Sequence, residues 1–174
     1  MNPATEQPLV NRVAASNLVT IDLEMLYPAG DIVGFDLKDY LFMEMILKEK
    51  DFREALKAHD WEQYAEKNLA VFCSADAIIP MWAYMLVATS AAPYASDIIQ
   101  AAPEQFVELA FLKKLAAMDF GDYEGKRIVV KGCSDKPVPP SAYLEITRRL
   151  APVAQSIMFG EPCSTVPVYK KPKE

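Results

Sequence analysis

Cys73, Cys133 and Cys163 are each followed at once by a serine, Ser74, Ser134 and Ser164, and then by a proline within a few positions. Serine makes up about one residue in twenty of an average chain, so three Cys-Ser pairs out of three point to cysteine chemistry as the purpose of this protein. The thiolate, not the thiol, binds metal or attacks an electrophile, and a cysteine just ahead of a helix is pushed toward thiolate by unpaired N–H groups. Ser74 and Ser134 are suited to cap such helices and to tune a neighbouring sulfur by hydrogen bonding, and Ser164 stands beside the third thiol in the same way. Three converging thiolates make three quarters of a tetrahedral soft-metal site. The fourth position falls to His59, Asp76, Asp135, Glu161, water or a ligand from a partner. With the first two cysteines 60 positions apart, the last two 30 apart and no CxxC pair, convergence has to come from the fold.

Two other readings of the same residues stand beside metal binding. Each cysteine can be a small buried apolar group whose serine neighbour caps a turn, or one of them, Cys133 being the first choice, can be a nucleophile that accepts sulfur or an acyl group. His59 is the only histidine and sits where a long helix should end, a position that suits interaction with the helix dipole as well as ligation or base catalysis. Asp22 and Glu24 could pair on a hard cation or as acid and base, but a solvent-facing strand accounts for them more simply. Trp82, Tyr84 and Met85 read as core residues or as a dimer face. No glycine-rich phosphate loop or nucleophile elbow is present.

The elements that must position the cysteines follow from the hydropathy pattern. Leu18 to Glu24 alternates as a strand, and a turn at Tyr27–Asp31 followed by Ile32–Phe35 suggests a hairpin. Asp36 can cap the next helix, in which Leu41, Met45, Phe52 and Leu56 recur at helical spacing. Leu69–Phe72 is a strand ending at Cys73, with an apolar helix over 77–89. After a helix from Pro103 to about Met118, Ile128–Lys131 is a strand ending at Cys133, with a helix from Pro139 or Pro140 to Leu150. VFCSADAIIPMWAYML and VKGCSDKPVPPSAYLE thus look like two copies of one strand-loop-helix device, offset by one residue. Strands joined through helices imply a mainly parallel sheet, with Cys73 and Cys133 on its carboxyl edge. Cys163 precedes its strand, Thr165–Tyr169, and reaches that edge only if this last strand runs antiparallel; Pro167 favours an edge position.

The chain has 174 residues, of which 52% are hydrophobic and 24% charged, and a net charge of −6. These values fit one soluble α/β domain over 9–170 between two short tails, with a small mixed, mainly parallel sheet flanked by helices. The acidic balance argues against nucleic acid or an anionic membrane as partner. Pro80 and Pro93 break the uncharged run between Asp76 and Asp97 into pieces too short to span a bilayer. The polar opening NPATEQP is no secretory signal, so the expected location is the cytoplasm, where cysteines stay reduced.

The strings VNRVAASNLVTIDLE, EKDFREALKAHDWEQY, VFCSADAIIPMWAYML, KGCSDKPVPPSAY and SIMFGEPCSTVPVYK closely resemble DUF2480, a family of uncharacterised bacterial proteins, mainly from Bacteroidetes. The resemblance covers about Leu9 to Lys170 and carries over no catalytic residue. It implies an association with sulfur mobilisation and iron–sulfur cluster assembly. The expectation is therefore a cysteine-bearing accessory protein for an iron–sulfur cluster, iron or zinc, with cluster-assembly proteins as partners and a homodimer as a further possibility.

Overall fold

Short apolar strands that alternate with helices fold here as two separate parallel arrangements. The computed structural model describes residues 18–132, 135–161 and 163–172. Its strands are β1 (Leu18–Asp22), β2 (Ile32–Asp36), β3 (Asn68–Phe72), β4 (Asp97–Gln100), β5 (Arg127–Lys131), β6 (Ser156–Glu161) and β7 (Ser164–Lys170). Its α-helices are α1 (Glu49–Ala58), α2 (Met81–Ala91), α3 (Pro103–Ala117) and α4 (Pro140–Leu150). The strands divide between two sheets, ordered β1-β5-β6-β7 and β2-β3-β4. All pairings are parallel except β6 with β7. The α/β class and the mainly parallel pairing are as expected; the distribution over two sheets is new.

The chain separates into two compact units. Unit 1 comprises residues 1–25 and 117–174 and holds the four-stranded sheet; unit 2 comprises residues 26–116 and holds the three-stranded one. In unit 2, Leu69 and Val71 on β3 face a core with Phe52 and Leu56 of α1 and Ala83 and Val87 of α2. Ala70 points the other way, onto Phe106 and Ala110 of α3. A strand buried on both faces reads as an unbroken apolar run, which is what Leu69–Phe72 is. In unit 1, Ile128, Val129 and Val130 of β5 are buried in the same manner, as are Ala142, Ile146 and Leu150 on one face of α4. No helix among the described residues is long and apolar enough to cross a membrane.

The repeated strand-loop-helix device extends much further than its cysteines. Residues 60–71 (DWEQYAEKNLAV) match 119–130 (DFGDYEGKRIVV), and 92–99 (APYASDII) match 151–158 (APVAQSIM), at a constant spacing of 59 positions. The backbone follows the sequence. Asp60 and Asp119 accept from the N–H two residues on, and Tyr64 and Tyr123 close matching turns onto Trp61 and Phe120. Glu66 and Gly125 both take positive φ. Ser96 and Gln155 start the strands that follow α2 and α4 by donating to Lys67 and Lys126. Register agrees as well, since Asn68 pairs with Asp97 and Arg127 with Ser156.

Three local expectations are corrected. The Tyr27–Asp31 turn does not make a hairpin: β2 pairs parallel with β3, and the Asn68 amide holds the turn by donating to Ala29 O at 2.6 Å. Asp36 caps only a single 3-10 turn, Leu37–Tyr40, by accepting from Lys38 N. A tight turn at Phe42–Ile46 then separates it from α1, so the apolar spacing across 37–56 is not one helix. The helix expected over 77–89 begins at Met81, because Pro80, with no N–H to offer, stands at its N-cap in extended conformation.

Candidate functional site

Cys73 and Cys163 fall at the carboxyl ends of strands, but on two sheets. In unit 1 the decisive element is β7, which runs antiparallel to β6 with Glu161 opposite Ser164. The turn bearing Cys163 therefore lies at the same edge at which β1 and β5 end, and Cys163 is exposed there. Gly160 makes this turn possible: its φ is +121°, and a Cβ would lie 2.5 Å from Ser164 O, so only glycine lets the two strands close. Cys133 and Ser134 lie outside the described residues, immediately after Gly132 and ahead of Asp135.

Around Cys163 the edge is strongly charged. The Lys131 ammonium bridges strands, 3.2 Å from Asp22 on β1 and 3.7 Å from Glu161 on β6. The hydrogen bond and charge of Asp22, followed by the charge of Glu161, raise the Lys131 pKa above the usual lysine value. The Glu24 carboxylate accepts from Asp135 N at 3.3 Å, which anchors the segment after Cys133 to the end of β1. Asp22 and Glu24 are thus structural partners at this edge. Among the described residues, no three of His, Cys, Asp and Glu are grouped to hold a metal ion.

Cys73 belongs to unit 2, at the end of β3. It is half-buried, packs against the core of that unit, and directs its thiol to Ala75 O at 3.5 Å. It stands eight positions before Met81, too far to share the unpaired N–H groups of α2, and Ser74 does not cap that helix. Ser74 instead donates through both its N–H and its hydroxyl to the Asp36 carboxylate, at 3.0 and 2.5 Å, while Lys38 N gives a third hydrogen bond at 2.9 Å. Burial acts to raise the Asp36 pKa, but these three donors outweigh it and the carboxyl sits below its ordinary value. Asp76 is exposed. Tyr84 lies close enough for Cys73 to act on it: burial first, and the charge of Cys73 second, raise its phenol pKa.

His59 caps the C-terminal end of α1, as its position in the sequence suggests. Its Nδ1 lies 3.3 Å from the Tyr40 hydroxyl and its Nε2 3.0 Å from the Tyr64 hydroxyl, with the Phe35 and Trp61 rings packed beside it. Burial holds the imidazole below its usual pKa, against an opposing pull from Asp60. Both ring nitrogens are engaged with tyrosines and the Cys73 thiol with a carbonyl, so the described residues form no Cys-His pair.

Across the chain, residues 7–171 match the family model for proteins of unknown function designated DUF2480. The chain belongs to the DUF2480 family. No curated protein and no solved structure matches it. The family assignment carries no activity, and functional inference for this DUF2480 chain rests on its own two edges. Cys163, Glu161, Ser164 and Asp135 are gathered at the edge of unit 1, while Cys73, Ser74 and Asp76 sit at the corresponding edge of unit 2. Asp36 and Lys131 were not candidates from the sequence. The signal for Asp36 was there in the paired strings IDLE and FDLK, which place an aspartate at the end of each first strand.

Proposed function

We propose that this protein is an accessory factor that handles a thiophilic metal ion or an iron–sulfur cluster at the carboxyl edge of unit 1, with Cys163 and Cys133 as its thiolate ligands. The observation that supports this reading is the antiparallel β7, which carries the exposed Cys163 back to the edge at which β5, the strand leading to Cys133, ends. Two protein thiolates leave part of a tetrahedral coordination sphere open. Open positions suit a carrier, since ligands from a donor or acceptor protein can enter without displacing the chain's own sulfurs. Asp135 and Glu161 flank the edge as hydrogen-bonding or charge partners. Cys73 lies on the other sheet and has no part in this reading.

The test is metal and acid-labile sulfide analysis of the full chain purified without oxygen. Iron or zinc should co-purify, and either Cys133→Ser or Cys163→Ser should release it while Cys73→Ser retains it. Metal-free protein, or metal lost only with Cys73, refutes the assignment.

A further inference from the structure

In unit 2 the C-terminal halves of α1 and α2 border a hollow of about 460 Å³, a volume within the range of small-molecule sites. Leu56, Trp61 and Leu86 line it with apolar surface. Trp61 is fixed in place, since its indole N–H donates to Leu56 O at 2.8 Å and the Phe35 ring stacks on it at 5.4 Å. Arg53 and Lys57, exposed and one turn apart on α1, are the charged residues of the lining, and no carboxylate is among them. Arg53 meets Glu49 through Nε at 2.9 Å, which leaves its terminal nitrogens for a second partner. These two full positive charges outweigh the partial negative charge, about half a unit each, of the two helix ends.

The internal repeat supplies a control. At the spacing of 59 positions, Ser90, Trp61 and His59 correspond to Arg149, Phe120 and Met118 of unit 1. There the Arg149 guanidinium lies 4.7 Å over the Phe120 ring and donates to Met118 O at 3.1 Å, so the chain covers its own aromatic ring. In unit 2 the Ser90 hydroxyl donates to Leu86 O on its own helix and is too short to do the same, and the hollow beside Trp61 stays open. A ligand that fits needs an apolar body for Leu56, Trp61 and Leu86 and a negative charge for Arg53 and Lys57, with the Tyr94 hydroxyl as a further donor on the lining. The lining includes no glycine turn and no helix N-terminus, the backbone donors that phosphate groups use. A carboxylate, by contrast, is matched by the planar fork of an arginine, and an aromatic body by the rings of Trp61 and Tyr94. At ~30 Å³ per non-hydrogen atom there is room for about fifteen such atoms. We infer that unit 2 binds a small aromatic carboxylate in this hollow, its ring against Trp61 and its charge at Arg53 and Lys57.

Naphthoate, naphthylmethanol and naphthylmethylammonium share a ring system and differ in charge, and each can be titrated into the isotope-labelled full chain while the indole N–H signals of Trp61 and Trp82 are followed by NMR. Naphthoate should bind with a Kd on the order of 1 mM or tighter and move the Trp61 signal, leaving Trp82 in place. The alcohol should bind about tenfold more weakly, and the ammonium more weakly still. Arg53→Gln with Lys57→Gln changes only exposed charges and should weaken naphthoate by about the same tenfold. Ser90→Arg introduces the unit 1 residue and, in protein with an unchanged circular dichroism spectrum, should abolish binding. A Trp61 signal unmoved at about 5 mM naphthoate, equal binding of the three probes, preference for the ammonium, or undiminished binding in the double variant or in folded Ser90→Arg protein each overturns the inference.

Discussion

The Asp36–Ser74 contact latches the end of β2 to the loop that carries Cys73, and its strength can be worked from its geometry. Three donors reach one carboxylate. A hydrogen bond to a charged acceptor contributes about 1.5–3 kcal/mol when shielded, but Ser74 is exposed and Asp36 only partly buried, so about 1 kcal/mol is expected for the Ser74 hydroxyl. Ser74→Ala should therefore lower the stability of unit 2 by about 1 kcal/mol. Asp36→Ala also frees Lys38 N and Ser74 N, and should cost about 2 kcal/mol or slightly more. The double variant should show a coupling of about 1 kcal/mol. Both tryptophans, Trp61 and Trp82, lie in unit 2, so urea unfolding followed by their fluorescence reports this unit. The pH dependence has a definite sign. Its three donors hold the Asp36 carboxyl below the ordinary aspartate value, so the latch is at full strength above about pH 4 and is lost as pH falls through the lowered folded value. Near neutral pH, a coupling within about 0.3 kcal/mol of zero would show that the two side chains act independently and would refute the latch.

Two further outcomes test the geometry elsewhere. Gly160→Ala should destabilise unit 1 by about 2 kcal/mol and alter the labelling rate of Cys163, because the new Cβ meets Ser164 O; Gly125→Ala, at φ +66° with nothing within 4 Å, should cost only about 1 kcal/mol. Equal losses for the two would show that the β6–β7 turn does not depend on close approach. His59, whose folded pKa lies below 6.5, should make unit 2 less stable as pH falls from about 6.5 through that lower value. The effect should stay under about 1 kcal/mol because the ring is partly exposed, and it should vanish in His59→Gln. A melting-temperature profile that is the same in both proteins between about pH 7 and 5 counts against the tyrosine clasp.

Much of the architecture is legible in the residues themselves. Uninterrupted apolar runs such as Leu69–Phe72 and Ile128–Val130 announce strands buried on both faces, and the proline before each of α2 and α4 marks where the helix begins. The strands β4 and β6 are harder to read, because Asp97–Gln100 and Ser156–Glu161 mix polar ends with only two or three apolar residues, and their partners come from far along the chain. The division into two sheets is not local information at all. It depends on β2 pairing with β3 instead of folding back on β1, and the Asn68 amide reinforces that pairing by donating to Ala29 O across 39 positions of chain. Of the candidate site, the one condition that sequence could state, an antiparallel last strand, is met. The latch of Ser74 onto Asp36 could not be anticipated, since the bond joins residues whose proximity only the β2–β3 pairing creates.

The internal repeat explains why matching Cys-Ser pairs do not mark matching sites. At the spacing of 59 that aligns the turns, strands and helices, the residue corresponding to Cys73 is Gly132, and Cys133 falls one position later, one residue nearer the proline that precedes the helix. The contacts around these positions have diverged as well. Tyr143 donates to Gly132 O at 2.5 Å, whereas its counterpart Tyr84 lies near the Cys73 thiol. Asp22 is engaged by Lys131, whereas its counterpart Asp36 is engaged by Ser74, and the residue of unit 2 corresponding to Lys131 is Phe72. Among the described residues, unit 1 alone has an additional antiparallel strand, β7, and with it Cys163 at its edge. A repeated βαβ frame that keeps its backbone hydrogen bonds while the side chains at its carboxyl edge differ presents one fold with two different edges. Under the proposed reading, ligand exchange is expected at the edge of unit 1, where Cys163 is exposed, and not at the half-buried Cys73, whose thiol is directed to the Ala75 carbonyl beside the Asp36–Ser74 latch.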